Sequence, residues 1–289
     1  MSTVLVTGSS RGIGKATCLA LARAGHRVVG AMRDPARAPE LIALAAAETL
    51  PIVVCAMDVD DDASVGRGVA EAIARHGPID ALVNNAGIER HGAIEELALA
   101  EFRAVMETNY FGAIRCIQAV LPGMRERRRG CIVNVSSVAG RISTSPLGPY
   151  AASKFALEAI SEALAQEVKS LGIRVAVVQP GIIGTEMAQA IGTRGAASIY
   201  PHAPRLAALF AASLTHPTSP NLVAETIRGI IESDAPRFHH PVGPDAEPFL
   251  DWRASMTDEE WIDWNAADDD TWYANMGRTF GLQDRRPKV

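Results

Sequence analysis

The chain has 289 residues, 48% of them hydrophobic and 21% charged, with 24 glycines; such a composition suits one large α/β domain or two smaller ones and excludes a disordered chain. The net charge of -5 arises beyond position 244, where acidic residues outnumber basic ones by eleven to five, so the body is near neutral and lacks the basic stripe of a nucleic-acid binder. No window approaches the roughly eighteen apolar residues of a membrane span, and "MSTVLVTG" lacks the basic start and apolar stretch of a signal peptide, so a soluble cytosolic protein is expected.

In chain order, "TVLVTG" predicts a first strand running into "TGSSRGIGK", where Gly8, Gly12 and Gly14 surround the turn into a first helix, "GKATCLALARAGH". Glycine permits a tight turn and close approach of a ligand, and the helix start offers free N–H groups and a positive dipole end to a pyrophosphate. A P-loop is excluded, since Ser9 stands where its first glycine is required and Ala16 where a Ser or Thr would hold magnesium. Further strands are predicted at "RVVGAM", "PIVVCAMDV", "IDALVNNAG", "GCIVNVSS" and "IRVAVVQPG", alternating with helical patterns such as "DASVGRGVAEAIARHG". Because these runs are almost continuously Val, Ile and Leu, the sheet is expected to be parallel and buried on both faces. The predicted fold class is α/β: a single doubly wound Rossmann-type domain of about seven parallel strands with helices on both faces, plus a helical C-terminal extension.

Helical stretches at about 204–214 and 221–233 precede a seventh strand near "RFHHPVG", Arg237 to Gly243. The expected division is a dinucleotide-binding and catalytic domain over 1–244, with a substrate-capping segment at about 183–217, and an acidic extension over 245–289. That extension holds all four tryptophans, Trp252, Trp261, Trp264 and Trp272. In "TDEEW", Thr257 and Glu260 form a capping-box pattern with Trp261 and Trp264 on one helical side, so the tail is expected to fold and to pack on the body, the mouth of the active site or another subunit. Cys18, Cys55, Cys116 and Cys131 form no C-x-x-C pair and read as buried thiols, and no metal site is expected. The basic run Arg125 to Arg129 reads as a solvated helix end.

The run "SPLGPYAASKFALEAI" sets Tyr150 and Lys154 four residues apart, hence on one helix face, with Pro149 suited to the first turn. A phenol with its usual pKa of about 10 is a poor base at neutral pH, but a nearby ammonium and an oxidised nicotinamide would favour the phenolate. Tyr150 can then serve as a general acid or base.

Six motifs in order resemble the short-chain dehydrogenase/reductase family over about residues 3–245. They are T-G-x-x-x-G-x-G at Thr7 to Gly14, N-N-A-G at Asn84 to Gly87, N-x-x-G at Asn109 to Gly112, the serine motif "NVSS", Y-x-x-x-K at Tyr150 to Lys154, and "PGIIGT" at Pro180 to Thr185. The resemblance implies that Tyr150 donates a proton to a carbonyl oxygen in reduction and removes one from an alcohol in the reverse direction. It implies that Ser137, rather than Ser136, bonds the same oxygen, that Lys154 holds the nicotinamide ribose hydroxyls, and that Asn109 orders a water-linked relay to Lys154. Cofactor contacts are implied at Gly8, Ser10, Arg11, Gly12, Ile13, Gly14, Arg33, Asp58 and Val59. Asn85, Ala86 and Gly87, with Asn84, would form the floor, and Tyr150, Lys154, Pro180, Gly181, Ile183 and Thr185 the nicotinamide end.

At the end of the second strand the position of the acid that serves an NAD ribose holds Met32, followed by Arg33. Arg33 with Arg11 predicts NADP(H) as cofactor, while Asp34 leaves NAD(H) as the alternative. "MRDP" and "YAASKFALE" are most similar to the 17-beta-hydroxysteroid and retinol dehydrogenase branch. The apolar capping segment, with Met187, Tyr200 and Phe210, suggests a hydrophobic or bulky ketone, aldehyde or secondary alcohol. Arg90, His91, Ser143 and His202 are candidates for polar contacts with it. Family members commonly pair through the helix face that here carries Ala152, Ala156, Ala159 and Ala163, which implies a homodimer or homotetramer. A non-catalytic dinucleotide sensor, and an epimerase or dehydratase with the same Tyr and Lys, are the rival readings.

Overall fold

The computed structural model describes residues 1–193, 198–200, 202–235 and 237–281. Residues 194–197 and 201 of the expected capping segment and 282–289 of the expected extension lie outside them. The chain runs β1 (Thr3–Thr7), α1 (Gly12–Arg23), β2 (Arg27–Met32), α2 (Pro39–Ala47), β3 (Ile52–Ala56), α3 (Asp62–His76) and β4 (Ala81–Asn84). It continues through α4 (Leu99–Met106), α5 (Gly112–Arg127), β5 (Gly130–Val135), α6 (Gly148–Val168) and β6 (Ile173–Pro180). After α7 (Glu186–Thr193), α8 (Ala203–Ser213) and α9 (Pro220–Glu232), β7 (His239–Val242) leads into α10 (Ala246–Ala254), α11 (Asp258–Ala266) and α12 (Asp269–Phe280).

The seven strands form one parallel sheet in the order β3-β2-β1-β4-β5-β6-β7. Alternate residues of the inner strands enter opposite cores, because successive side chains point to opposite faces, while at the edge strand β3 Val53 stays exposed. Val4, Val6 and Val28 pack with Leu21 of α1 and Ile227 of α9 on one face. Leu5, Val29 and Leu82 pack with Val69 of α3, Cys116 of α5 and Leu164 of α6 on the other. With both alternations apolar, the sheet must be covered on both sides, as the unbroken Val/Ile/Leu runs predict. Strand order reverses between β1 and β4, and the crevice beyond the carboxyl ends of strands at such a point is where doubly wound sheets bind ligands.

No helix among the described residues is long and apolar enough to cross a membrane. The four cysteines are unpaired thiols; Cys18, Cys116 and Cys131 are buried, and Cys55 is half-buried. The basic run closes α5: Arg128 takes a left-handed backbone (φ 51°), and Arg127 donates to the carbonyl of Ile79 at 2.8 Å. On α6, Ala152 and Ala159 face outward.

The capping box is present on α11, with Thr257 and Glu260 exchanging backbone-to-side-chain bonds at 2.8 and 3.2 Å. The tail packs against α8, and its four tryptophans line the large cavity. Trp272, Tyr273 and Met276 of α12 pack with Leu209 and Ala212 of α8. Trp252 meets Trp261 and Trp264 edge-on, with both pairs of ring centroids 4.7 Å apart.

Candidate active site

β1 ends in a glycine turn whose geometry excludes side chains. Gly8 and Gly12 adopt φ of +64° and +54°, and a Cβ on Gly8 would lie 2.7 Å from the Cα of Ala86. Asn85 braces the turn, donating from Nδ2 to the carbonyls of Thr7 and Gly8 at 2.9 and 3.1 Å. The Thr7 hydroxyl accepts from the backbone N–H groups of both Asn85 and Ala86 at 3.0 Å. The N-terminus of α1 carries no side-chain cap, so its first N–H groups stay available at the cavity. Such a turn can hold a pyrophosphate, and the residues present fit a nicotinamide dinucleotide. Gly14, expected as a contact, does not line the cavity; its missing Cβ would sit 2.3 Å from the Gly8 carbonyl oxygen, so it lets α1 pack against the turn.

A single cavity of about 680 Å³ joins this turn to the tyrosine. The other expected cofactor contacts all line it: Ser10, Arg11, Ile13, Arg33, Asp58, Val59, Asn85, Ala86, Gly87, Pro180, Gly181, Ile183 and Thr185, with Gly8 and Gly12. Asn84 lies beneath this floor, buried, with its Nδ2 donating to Asn134 Oδ1 at 2.9 Å. At the end of β2, Met32 is buried while Arg33 and Arg37 line the cavity. Arg37 escaped the sequence reading, because it enters only through the short turn Pro35–Arg37. Asp34 caps that turn by accepting from the N–H of Ala36 at 2.9 Å. Arg11 is not left free for a phosphate: it pairs with Glu186 of α7 across the entrance. Both side chains are more than half exposed, so the pair is cheap to open, at about 0–1 kcal/mol.

α6 brings Tyr150 and Lys154 to the same cavity as Ser137, which follows β5. Pro149 lies in the first turn of α6, as its position predicts. Lys154 is 4% exposed, donates to the carbonyl of Val135 at 2.8 Å, and lies 5.7 Å from the Tyr150 ring centroid. Burial lowers its pKa to about 8, partly offset by the charge of Glu158.

Without a nicotinamide, the phenol of Tyr150 is held above its ordinary pKa. Its burial raises the pKa to about 12, the Ser137 hydroxyl works against that rise, and the charge of Glu89 adds to it. Desolvation wins because a phenolate loses more hydration than the hydroxyl contact returns. Ser137 Oγ caps the turn Val138–Gly140, accepting from Ala139 N at 3.1 Å, whereas Ser136 Oγ is buried without a partner.

Asn109 stands behind the cavity. It lies in the π-helical turn Glu107–Phe111 that joins α4 to α5, accepts from Ile88 N at 2.8 Å and donates to Ile88 O and Ser153 Oγ, both at 2.9 Å. Its side chain is therefore committed to holding the loop after Gly87 against α6.

Polar contacts fall differently from expectation. Arg90 pairs with Glu101, His91 with Glu89 at 2.9 Å, and Ser143 offers its carbonyl to Trp261 Nε1 at 2.9 Å; none of the three lines the cavity. His202 does, as does Glu89, a buried carboxylate that the sequence reading passed over. The roof is aromatic: Phe249, Trp252, Trp261, Trp264 and Trp272 line the cavity together with Met187 and Phe210. Tyr200 lies outside it and bonds to Glu95. Arg205, 3% exposed, locks the roof to α8 by pairing with Asp269 at 2.7 Å and donating to the carbonyls of Asn265 and Ala267.

Comparison with known proteins accords with this geometry. The family model described as short chain dehydrogenase matches residues 2–195. Over 182 residues the chain is 40% identical to a 3-ketodihydrosphingosine reductase of Bacteroides thetaiotaomicron, covering 63% of this chain and 64% of that protein. It is 42% identical over 189 residues to retinol dehydrogenase 8 of Homo sapiens, covering 64% of this chain and 60% of that protein. The matched stretch thus spans less than two thirds of either relative. A solved short-chain dehydrogenase from Streptomyces avermitilis superposes with a TM-score of 0.77 at 33% identity, covering 91% of this chain and 96% of the other.

Proposed function

The chain belongs to the short-chain dehydrogenase family, and from that membership we propose that it is an NADP(H)-dependent oxidoreductase interconverting a bulky, apolar ketone or aldehyde and its alcohol. One observation carries the reading: Tyr150, Lys154 and Ser137 share a cavity with the glycine turn, so a hydroxyl acid, its cationic neighbour and a dinucleotide cradle act on one volume. A bound nicotinamide supplies the hydride, and the protein supplies position and protons. Ser137 and Tyr150 hold the carbonyl oxygen by hydrogen bonds. Tyr150, whose phenol carries its proton at neutral pH, gives that proton to the oxygen during reduction. Lys154 orients the ribose hydroxyls and keeps positive charge beside the ring of Tyr150.

The preference for NADP(H) over NAD(H) rests on Arg33 and Arg37 at the end of β2 and on the engagement of Asp34 in capping its own turn. The aromatic roof supports an apolar substrate body. Cytosolic location and a homo-oligomer assembled through α6 belong to the same reading, as do the division at 244/245 and the water-linked relay through Asn109. Titrating the cofactor-free protein with NADPH and NADH, followed by turnover assays on aryl ketones, tests it. Tighter binding of NADPH and ketone-dependent oxidation of it are expected; binding without turnover would return the sensor reading, and binding of neither nucleotide would overturn both.

A further inference from the structure

The face of α6 that carries Tyr150 and Lys154 bears a third ionisable residue one turn further on. Glu158 is 4% exposed, and its two oxygens are held from two other elements. Oε1 accepts from Gln179 Nε2 of β6 at 3.1 Å, and Oε2 accepts from His239 Nε2 of β7 at 3.0 Å. Around it the structure is shaped to admit the carboxylate. A Cβ on Gly140 would lie 2.9 Å from Glu158 Cγ, 3.1 Å from its Oε1 and 2.5 Å from Ser136 Oγ. The unpartnered Ser136 hydroxyl therefore borders the same small space.

We propose that Glu158, fixed by Gln179 and His239, is a positioning residue that keeps Lys154 charged for its work beside Tyr150. The inference rests on the reading of Lys154 as part of the reaction site. A buried ammonium is costly without a nearby anion, and i,i+4 residues of a helix are neighbours, about 5–6 Å apart at Cβ. Among the described residues, the hydrogen-bond partner of Lys154 is a neutral carbonyl, that of Val135. Glu158 meets His239 of β7 and the Gln179 amide of β6, the Ser136 hydroxyl lies across Gly140, and Lys154 stands one turn before it on α6, where the charge of Glu158 raises the pKa of the ammonium. The carboxylate thus has a single cation on its own helix, deep beside the cavity. His239, with 35% of its side chain exposed, ties the pair to the protein surface.

A purely structural role, tying α6 to β6 and β7, would cost stability but would leave the titration of Lys154 where it is. The distinguishing measurement is trace acetylation with acetic anhydride as a function of pH, read at Lys154 by peptide mass, in the wild type, Glu158→Gln, Glu158→Asp and His239→Gln. Loss of the anion is expected to move the titration of Lys154 down by about one unit or more in Glu158→Gln. Glu158→Asp should restore most of it, and His239→Gln should shift it in the same direction by less. With NADPH and an aryl ketone, the pH at which kcat/KM falls on the alkaline side should move down in step. Unchanged titration in Glu158→Gln overturns the proposal; should that variant not fold, unchanged titration in His239→Gln does so. Acetylation needs no turnover, so a wild type that reduces no ketone would sink the oxidoreductase reading while the charge coupling was still measured.

Discussion

Trp261 Nε1 donates to the backbone carbonyl of Ser143 at 2.9 Å, tying the C-terminal extension to the loop that leads into the tyrosine helix. Through this bond and the ring contact with Trp252, a residue from the acidic tail becomes part of the lining of the cavity that holds Tyr150. Trp261→Phe should lose the bond but keep most of the packing, at about 0.5–1.5 kcal/mol. Trp261→Ala should cost about 3–5 kcal/mol and raise KM for bulky ketones well above any change for small ones. Calorimetry and paired KM measurements check both; an unchanged KM in Trp261→Ala would remove the roof from the substrate site.

Tyr150→Phe retains the ring and its contact with Lys154 but removes the proton. Turnover should fall by about 10²–10⁴-fold, while the dissociation constant for NADPH stays close to that of the wild type. Stopped-flow reduction and nucleotide fluorescence give the two numbers. A variant that keeps its turnover would show that another group delivers the proton.

Arg33→Ala and Arg37→Ala should each weaken NADPH by roughly tenfold or more, as expected for loss of a charge-assisted bond, and should leave NADH nearly unaffected. Asp34→Asn should change neither affinity by much, because asparagine also caps the turn at Pro35–Arg37. If Asp34→Asn instead abolished NADH binding and the arginine variants had no effect, the cofactor would be NAD(H).

Asp245 joins β7 to α10 and accepts from the N–H of Ile182 through Oδ2 at 2.7 Å, while Oδ1 is buried without a partner. Burial holds its carboxyl above the usual range, with the bond from Ile182 acting against that rise. A folded-state pKa above the unfolded one means that ionisation opposes folding. The stability contribution of the protonated group is complete below the unfolded value of about 4 and is lost as pH rises through the folded value. Asp245→Asn should therefore lose less stability than the wild type between pH 4 and pH 7, read as the difference in melting temperature across that range. Parallel curves for the two proteins would contradict the assignment.

Much of the site was legible in the sequence because it is written in local spacing. The glycines of the first turn, the four-residue step from Tyr150 to Lys154 and the Pro-Gly ending of β6 each specify one backbone segment. Asn109 was singled out only by its likeness to the family's N-x-x-G motif, and its bonds to Ile88 and Ser153 make it the clasp of a loop, which no spacing tells. Spacing could not tell that desolvation raises the phenol of Tyr150 in the ligand-free chain, because that depends on what covers it, and its cover includes residues from several other elements.

Periodicity by itself determined the alternation of strands and helices, the doubly buried parallel sheet and the residues at its carboxyl edge, since these follow from φ/ψ preference and from which side chains must leave water. Only the tertiary structure decided that the tryptophans roof the cavity, that Arg11 meets Glu186, that Arg37 joins Arg33, and that Glu158 is held by Gln179 and His239. Such pairings depend on the angles and separations at which whole elements pack, and a hydrogen bond or ion pair is made or lost within about an ångström. No local pattern of residues encodes a distance of that kind.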